Sequence, residues 1–260
     1  MKKFFYNIKK YFKYAITSAS AELKSEISDS YLNWLWWVIE PLCFMLIYTF
    51  IFSVVFKSNE RFFPVFIFLG LTCWEFFNRM MMGSVNLITS NRDLISKVYV
   101  PKYILLLAKS FTYLFKLFIS FMIAIVLMIF LKTPFTWNIL YVIFILPILY
   151  LISFGLGCIL MHLGVYIEDL KKVVTILLKL VFYLSGVFYN INARLTGLIA
   201  YALLRFNPVA FCMNEIRKVM LYSKSLSVEG LIVWFMISIL ICIIGIKTIT
   251  KNENSYAKVI

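Results

Sequence analysis

The chain has 260 residues, is 63% hydrophobic and carries a mean hydropathy of +0.91; soluble domains are only about half apolar, so a soluble globular protein is excluded. Its apolar residues come in blocks of 18 or more that are apolar on every face, which indicates an all-α membrane protein and excludes the short alternating strands of a transmembrane barrel. The formal net charge of +14 lies on residues flanking those blocks, a distribution that fits a membrane surface and not a nucleic-acid partner.

Residues 1–30 precede the first block. Placed at 100° per residue, Phe4, Phe5, Ile8, Tyr11, Phe12, Ala15 and Ala19 share one arc, and Lys2, Lys3, Lys9, Lys10 and Lys13 lie opposite. This pattern predicts an amphipathic helix lying in the cytoplasmic interface. No apolar core with a cleavage site follows the lysines, so the first span is expected to act as its own insertion signal.

Six transmembrane helices are predicted, at about 34–56, 62–88, 104–131, 138–163, 173–189 and 228–247, each near the roughly 20 residues needed to cross a bilayer. The first opens with Tyr31, Trp34, Trp36 and Trp37. An aromatic belt explains some of these, but three tryptophans within four residues point in several directions, so some must face protein or a pore, where flat rings suit sugar C–H faces. Glu40 follows about a turn inside the membrane, where a carboxylate costs roughly 2.5–3.5 kcal/mol, and Pro41 frees a backbone carbonyl beside it. Both are expected to face the bundle interior.

In the second span Glu75 and Arg79 are four apart and predict an internal ion pair. Between spans two and three, Asn91 to Lys102 forms a polar interruption. The apolar pairs Leu94/Ile95 and Val98/Tyr99 repeat four residues apart, with Arg92/Asp93 and Ser96/Lys97 on the other face. Asn91 is a potential cap and Pro101 a stop, so residues 91–100 are predicted as a short helix. Lys116 in span three is a further buried charge, with a stem long enough to snorkel. The single histidine, His162, ends span four. Glu168 and Asp169 form the only adjacent carboxylates in the loop that follows. Residues 190–227 hold two stretches too short to cross, Leu195 to Leu204 and Val209 to Tyr222, broken at Asn207-Pro208; these predict an external re-entrant helix pair before the last span.

Orientation follows from lysine and arginine near the spans. With the N-terminus inside, 14 such residues fall on the cytoplasmic side and eight outside, which predicts both termini in the cytoplasm. No chemistry of an enzyme appears. There is no G-x-x-x-x-G-K-[ST], so the chain cannot cradle nucleotide phosphates by itself. The five cysteines are scattered within apolar runs and predict neither a disulfide nor a metal site.

Five segments together resemble the transmembrane permease subunits of type 2 ABC exporters for O-antigen, capsular polysaccharide or teichoic acid. They are Y-L-N-W-L-W-W-V-I-E-P-L (31–42), F-P-V-F-I-F-L-G-L (63–71), S-N-R-D-L-I-S-K-V-Y-V-P-K (90–102), V-Y-I-E-D-L (165–170) and F-N-P-V (206–209). The resemblance covers nearly the whole chain and implies residues 31–260 as one transmembrane domain in the bacterial cytoplasmic membrane. It further implies a homodimer, two separate ATPase subunits that use ATP and Mg, no cofactor on this chain, and a lipid-linked glycan as cargo. By the same resemblance, Arg92, Asp93, Leu94, Ile95, Lys97, Val98 and Tyr99 form a coupling helix seated in the ATPase, with Glu168 and Asp169 beside it. Tyr31, Trp34, Trp37 and Glu40 then line the substrate channel. Two departures stand out: Glu168 occupies a position that is often basic, and Ser185 to Asn190 lacks the prolines usual at the end of span five. The competing readings are an ion-driven secondary transporter, which calls for buried acidic relays and an internal repeat, and a membrane-embedded glycolipid enzyme, which calls for clustered carboxylates or histidines.

Overall fold

The computed structural model describes residues 2–28, 32–57, 60–191 and 197–259, with side chains described from 6 to 256 within those stretches; Tyr31 lies outside them. Every regular element among the described residues is a helix. In chain order these are α1 (Lys2–Ser28), α2 (Asn33–Phe50, continued by a π turn at Ile51–Val55), α3 (Phe63–Val85), α4 (Leu87–Ser90), α5 (Arg92–Lys97) and α6 (Lys102–Phe130). A 3-10 turn at Trp137–Tyr141 leads into α7 (Val142–Tyr166), followed by α8 (Leu170–Leu184), α9 (Leu198–Phe206), α10 (Pro208–Leu221), α11 (Val228–Lys251) and α12 (Glu253–Val259).

Among the described residues five helical stretches are long and apolar enough to cross a bilayer: Asn33–Val55, Phe63–Val85, Lys102–Phe130, Trp137–Tyr166 and Val228–Lys251. The stretch expected as a span at 173–189 is helical only as α8, whose 15 residues reach about 22 Å at 1.5 Å per residue. It stops where Gly186 turns to φ +69°, the left-handed conformation that ends many helices.

α3 is the centre of the bundle. Within its apolar window 72% of residues are buried, against 6% for α2, and it packs on α2, α6, α7, α8 and α10. α7 and α11 form the most extensive helix pair, because glycine lets their backbones meet. A Cβ on Gly245 would lie 2.4 Å from the Gly155 carbonyl oxygen, and one on Gly155 would lie 2.7 Å from the Cys242 amide nitrogen. Small residues at such crossings are the usual route to tight packing where no hydrophobic force separates helix from lipid.

The expected break at Asn207-Pro208 is a built cap. Asn207 Oδ1 accepts from the amides of Val209 and Ala210 at 3.1 Å each, and Pro208 occupies the first turn of α10, where its missing N–H is no loss. Asn207 Nδ2 also donates to Ser185 Oγ at 2.9 Å, tying the hairpin to the end of α8.

Candidate functional site

Two places collect the predicted site residues. The first is a polar cleft between α2, α3 and α6. On α2, Trp37, Glu40, Pro41, Phe44 and Tyr48 recur at helical spacing on one face, opposite Thr72, Glu75 and Arg79 of α3. Tyr113, Lys116 and Ser120 of α6 complete one side, and Phe182 of α8 closes the other. The wider part of the cleft encloses about 200 Å³. Glu75 and Arg79 form the expected pair, with Arg79 Nε 2.6 Å from Glu75 Oε1. The terminal guanidinium nitrogens of Arg79 and the Glu40 carboxylate make no hydrogen bond among the described residues. Trp37 meets Phe115 edge-on at 6.1 Å and carries the Lys116 ammonium 5.4 Å above its ring, a favourable cation–π placement. Trp34 and Trp36 are exposed. The cleft thus offers a guanidinium, two carboxylates and several aromatic faces, a set able to hold polyhydroxylated or phosphorylated material without fixing one sequence.

The sequence did not reveal what holds Lys116. Its Nζ lies 2.8 and 2.6 Å from the two oxygens of Glu26, and Lys109 pairs with Oε1 of Glu22, whose Oε2 accepts from Thr112 Oγ1 at 3.0 Å. α1 therefore lies along α6, with Ala15 and Ala19 buried and Ile8, Tyr11 and Tyr14 against the core. The clue was present in spacing: Glu22 and Glu26 share a face of α1, and Lys109 and Lys116, seven apart, share a face of α6.

The second place is the link from α4 to α6. The predicted helix at 91–100 is shorter than expected, six residues at Arg92–Lys97, and Val98 is extended at φ −135° and ψ 132°. Pro101 accounts for part of this, since it steers the residue before it away from helix. Asn91 does not cap α5; its Nδ2 donates to the Leu87 carbonyl at 2.8 Å. The apolar pairs consequently part company. Leu94 and Ile95 pack inward, whereas Val98 and Tyr99 are 53% and 64% exposed, with Arg92, Asp93 and Lys97 also exposed. The Tyr99 hydroxyl donates to Glu253 Oε2 at 3.2 Å, and the Tyr99 carbonyl accepts from the Tyr11 hydroxyl at 3.2 Å. The segment is thus tied to both terminal helices. Glu168 and Asp169 are exposed in the α7–α8 loop; Asp169 caps no amide and instead pairs with Lys172 at 2.7 Å. His162 Nδ1 meets the Tyr256 hydroxyl at 2.8 Å, which brings α12 back onto the end of α7.

Arg217 lies in the second of the two short stretches between spans five and six and is one of the eight basic residues counted outside. It is buried, donating to the carbonyls of Phe66 (3.1 Å), Gly186 (2.7 Å) and Val187 (2.7 Å), with its guanidinium 3.5 Å from the centre of the Phe66 ring. Nearby, the Tyr222 hydroxyl donates to Glu60 at 3.0 Å; burial and that carboxylate push the phenol above its ordinary range.

With this geometry in view, comparison with known proteins identifies the chain's relatives. It is 27% identical over 246 residues, 94% of each chain, to the O-antigen export system permease protein RfbA of Myxococcus xanthus. It is 24% identical over 266 residues, 98% of each chain, to the protein of that name in Klebsiella pneumoniae. Identity to the polysialic acid transport protein KpsM of Escherichia coli is 24% over 238 residues, 85% of this chain and 87% of that one. The family of ABC-2 type transporters matches residues 15–221, and the chain belongs to that family.

Proposed function

We propose that this chain is the permease subunit of an ATP-driven exporter that moves a lipid-linked polysaccharide across the bacterial cytoplasmic membrane. Relatives matched over nearly their whole length are permeases for O-antigen export and a polysialic acid transport protein. The observation that carries the reading on this chain is the cleft of Trp37, Glu40, Glu75 and Arg79, which joins aromatic faces and charged groups between apolar helices. A glycan needs surfaces of both kinds, and an ion-coupled relay would need neither the aromatics nor the width.

Two copies of the chain, joined so that each cleft faces a shared path, would work with two separate ABC ATPases that use ATP and Mg. The sparsely buried α2 supports such pairing. Residues 1–30 are the N-terminal unit, whose helix α1 lies in the interface and is clipped to α6, and residues 31–260 are the transmembrane domain, with both termini cytoplasmic. α8 together with the turn after it makes the sixth crossing, and α9 and α10 form an external re-entrant pair. Arg92, Asp93, Leu94, Ile95, Lys97, Val98 and Tyr99 are the contact for the ATPase, with Glu168 and Asp169 flanking. Tyr31, Trp34, Trp37 and Glu40 belong to the channel entrance. Closure of the ATPases on ATP alters their fit to the exposed Val98–Tyr99 strap. Because that strap is bonded to α1 and α12, differential binding there shifts whole helices. Affinity purification of the tagged chain from its host tests this: a separately encoded ABC ATPase retained in stoichiometric amount is the expected result, and its absence from an exporting cell overturns the reading.

A further inference from the structure

A second cavity, of about 670 Å³, lies between α1, α6, α7 and α11, apart from the charged cleft. Its long wall follows α11 from Ile239 to Thr250, about 16 Å at 1.5 Å per residue, and Leu107, Leu151 and Phe154 face it. That length is about half the ~30 Å hydrocarbon thickness of a bilayer, the depth of one leaflet. The slot therefore runs from the middle of the membrane to the end of α11 and stops among polar groups.

Those polar groups carry two opposite charges. Lys247 lines the cavity and makes no ion pair among the described residues. Glu253 also lines the cavity, and its Oε2 accepts a hydrogen bond from the Tyr99 hydroxyl. Lys102 lies close enough to feel that carboxylate, yet its ammonium is directed at the Val100 carbonyl, 3.4 Å away. A carboxylate beside an apolar slot calls for a cationic partner, and a lone ammonium at a membrane interface attracts phosphate.

We propose that this cavity holds one zwitterionic phospholipid with a primary ammonium headgroup, of the phosphatidylethanolamine class. One acyl chain lies along α11, the phosphate meets Lys247 and the ammonium donates to Glu253. An anionic phosphatidylglycerol satisfies Lys247 but brings a net negative headgroup to Glu253. A choline headgroup has no N–H to give. Tyr99 and Pro101 line the same cavity, so the lipid braces the strap proposed to contact the ATPase. The leaflet involved rests on the proposed orientation, whereas the binding itself does not.

The test uses the full chain in nanodiscs of equal phosphatidylethanolamine and phosphatidylglycerol, transferred to mild detergent, with retained lipid counted by native mass spectrometry. One phosphatidylethanolamine per protomer is expected, favoured over phosphatidylglycerol by about fivefold or more, the scale of a single charge contact near a membrane surface. Ile243→Trp, which fills the slot, removes it. Glu253→Gln removes the preference, and Lys247→Ala lowers retention of both lipids. Ile232→Trp, on the same helix away from the cavity, changes nothing. Equal retention of the two lipids by the parent, preference for phosphatidylglycerol, or an unaltered preference in Glu253→Gln overturns the proposal. None of these readouts involves the ATPase, so failure here leaves the permease reading standing, and loss of the ATPase would leave lipid retention intact.

Discussion

Arg217 gives the most quantitative test of how the external hairpin is held. Its guanidinium donates to three backbone carbonyls, those of Phe66, Gly186 and Val187, and so binds α10 to α3 and to the turn after α8. Replacement by methionine keeps much of the volume and removes this donor from the Gly186 and Val187 carbonyls, at roughly 1–3 kcal/mol each and not additively, while the Phe66 carbonyl keeps its bond within α3. The guanidinium's own desolvation is relieved at the same time, which offsets part of the loss. A net cost of about 3 kcal/mol follows, and at ~2–4 °C per kcal/mol for a chain of this size the melting point falls by about 6–12 °C. Arg217→Lys reaches fewer carbonyls and falls between parent and methionine variant. Gly70→Ala attacks the same contact from α3, since its Cβ would lie 2.3 Å from Arg217 Nη2 and 3.2 Å from the Val187 carbonyl oxygen. Thermal denaturation of the detergent-purified chain, followed by tryptophan fluorescence, is the assay. Melting of both Arg217→Met and Gly70→Ala within about 2 °C of the parent would refute the idea that this contact holds the hairpin.

Three further outcomes follow from the packing and the cleft. Glu26 and Lys116, at 2.6 Å with the ammonium largely buried, should show a coupling of about 0.5–1 kcal/mol in a double-mutant cycle of melting free energies; zero coupling contradicts the clip between α1 and α6. Gly245→Leu drives a side chain into the Gly155 backbone and should abolish monodisperse protein on size exclusion. Gly230→Ala meets only the Phe211 ring edge at 2.7 Å, which can swing, and should be milder; equal behaviour of the two variants contradicts the backbone contact. Trp37→Ala should slow glycan export by about 2–10-fold, the worth of one aromatic contact, without loss of the partner ATPase, as read by surface glycan and co-purification. Unchanged export removes Trp37 from the path.

The apolar blocks made the long helices readable, because lipid demands that each be apolar around and about 20 residues long. Asn207-Pro208 was equally legible, since a cap and a proline act locally. Where the outcome rests on tertiary contacts the sequence was silent or misleading. Residues 91–100 have the periodicity of a helix, yet Tyr99 is drawn out to Glu253 and Tyr11, contacts 154 and 88 residues away in the chain. Arg217 looks like any basic residue on a short external helix, and nothing near it announces that its partners are backbone carbonyls of α3 and of the turn after α8. Lys116 was visible as a buried charge, whereas its partner Glu26 lay in a segment whose lysines drew attention to the membrane surface. The Glu75–Arg79 pair, four residues apart on one helix, was predictable because its geometry is local.

Val98 and Tyr99 are exposed, and the proposed mechanism has a separate ATPase drive the permease through them. Val98→Asp combined with Tyr99→Asp, introduced into the chromosomal copy, tests it directly when surface glycan and ATPase co-purification are measured in the same cells. The expected result is loss of export, with ATPase association weakened, while the amount of permease in the membrane is unchanged. Export and ATPase association that both persist at parental levels would contradict it.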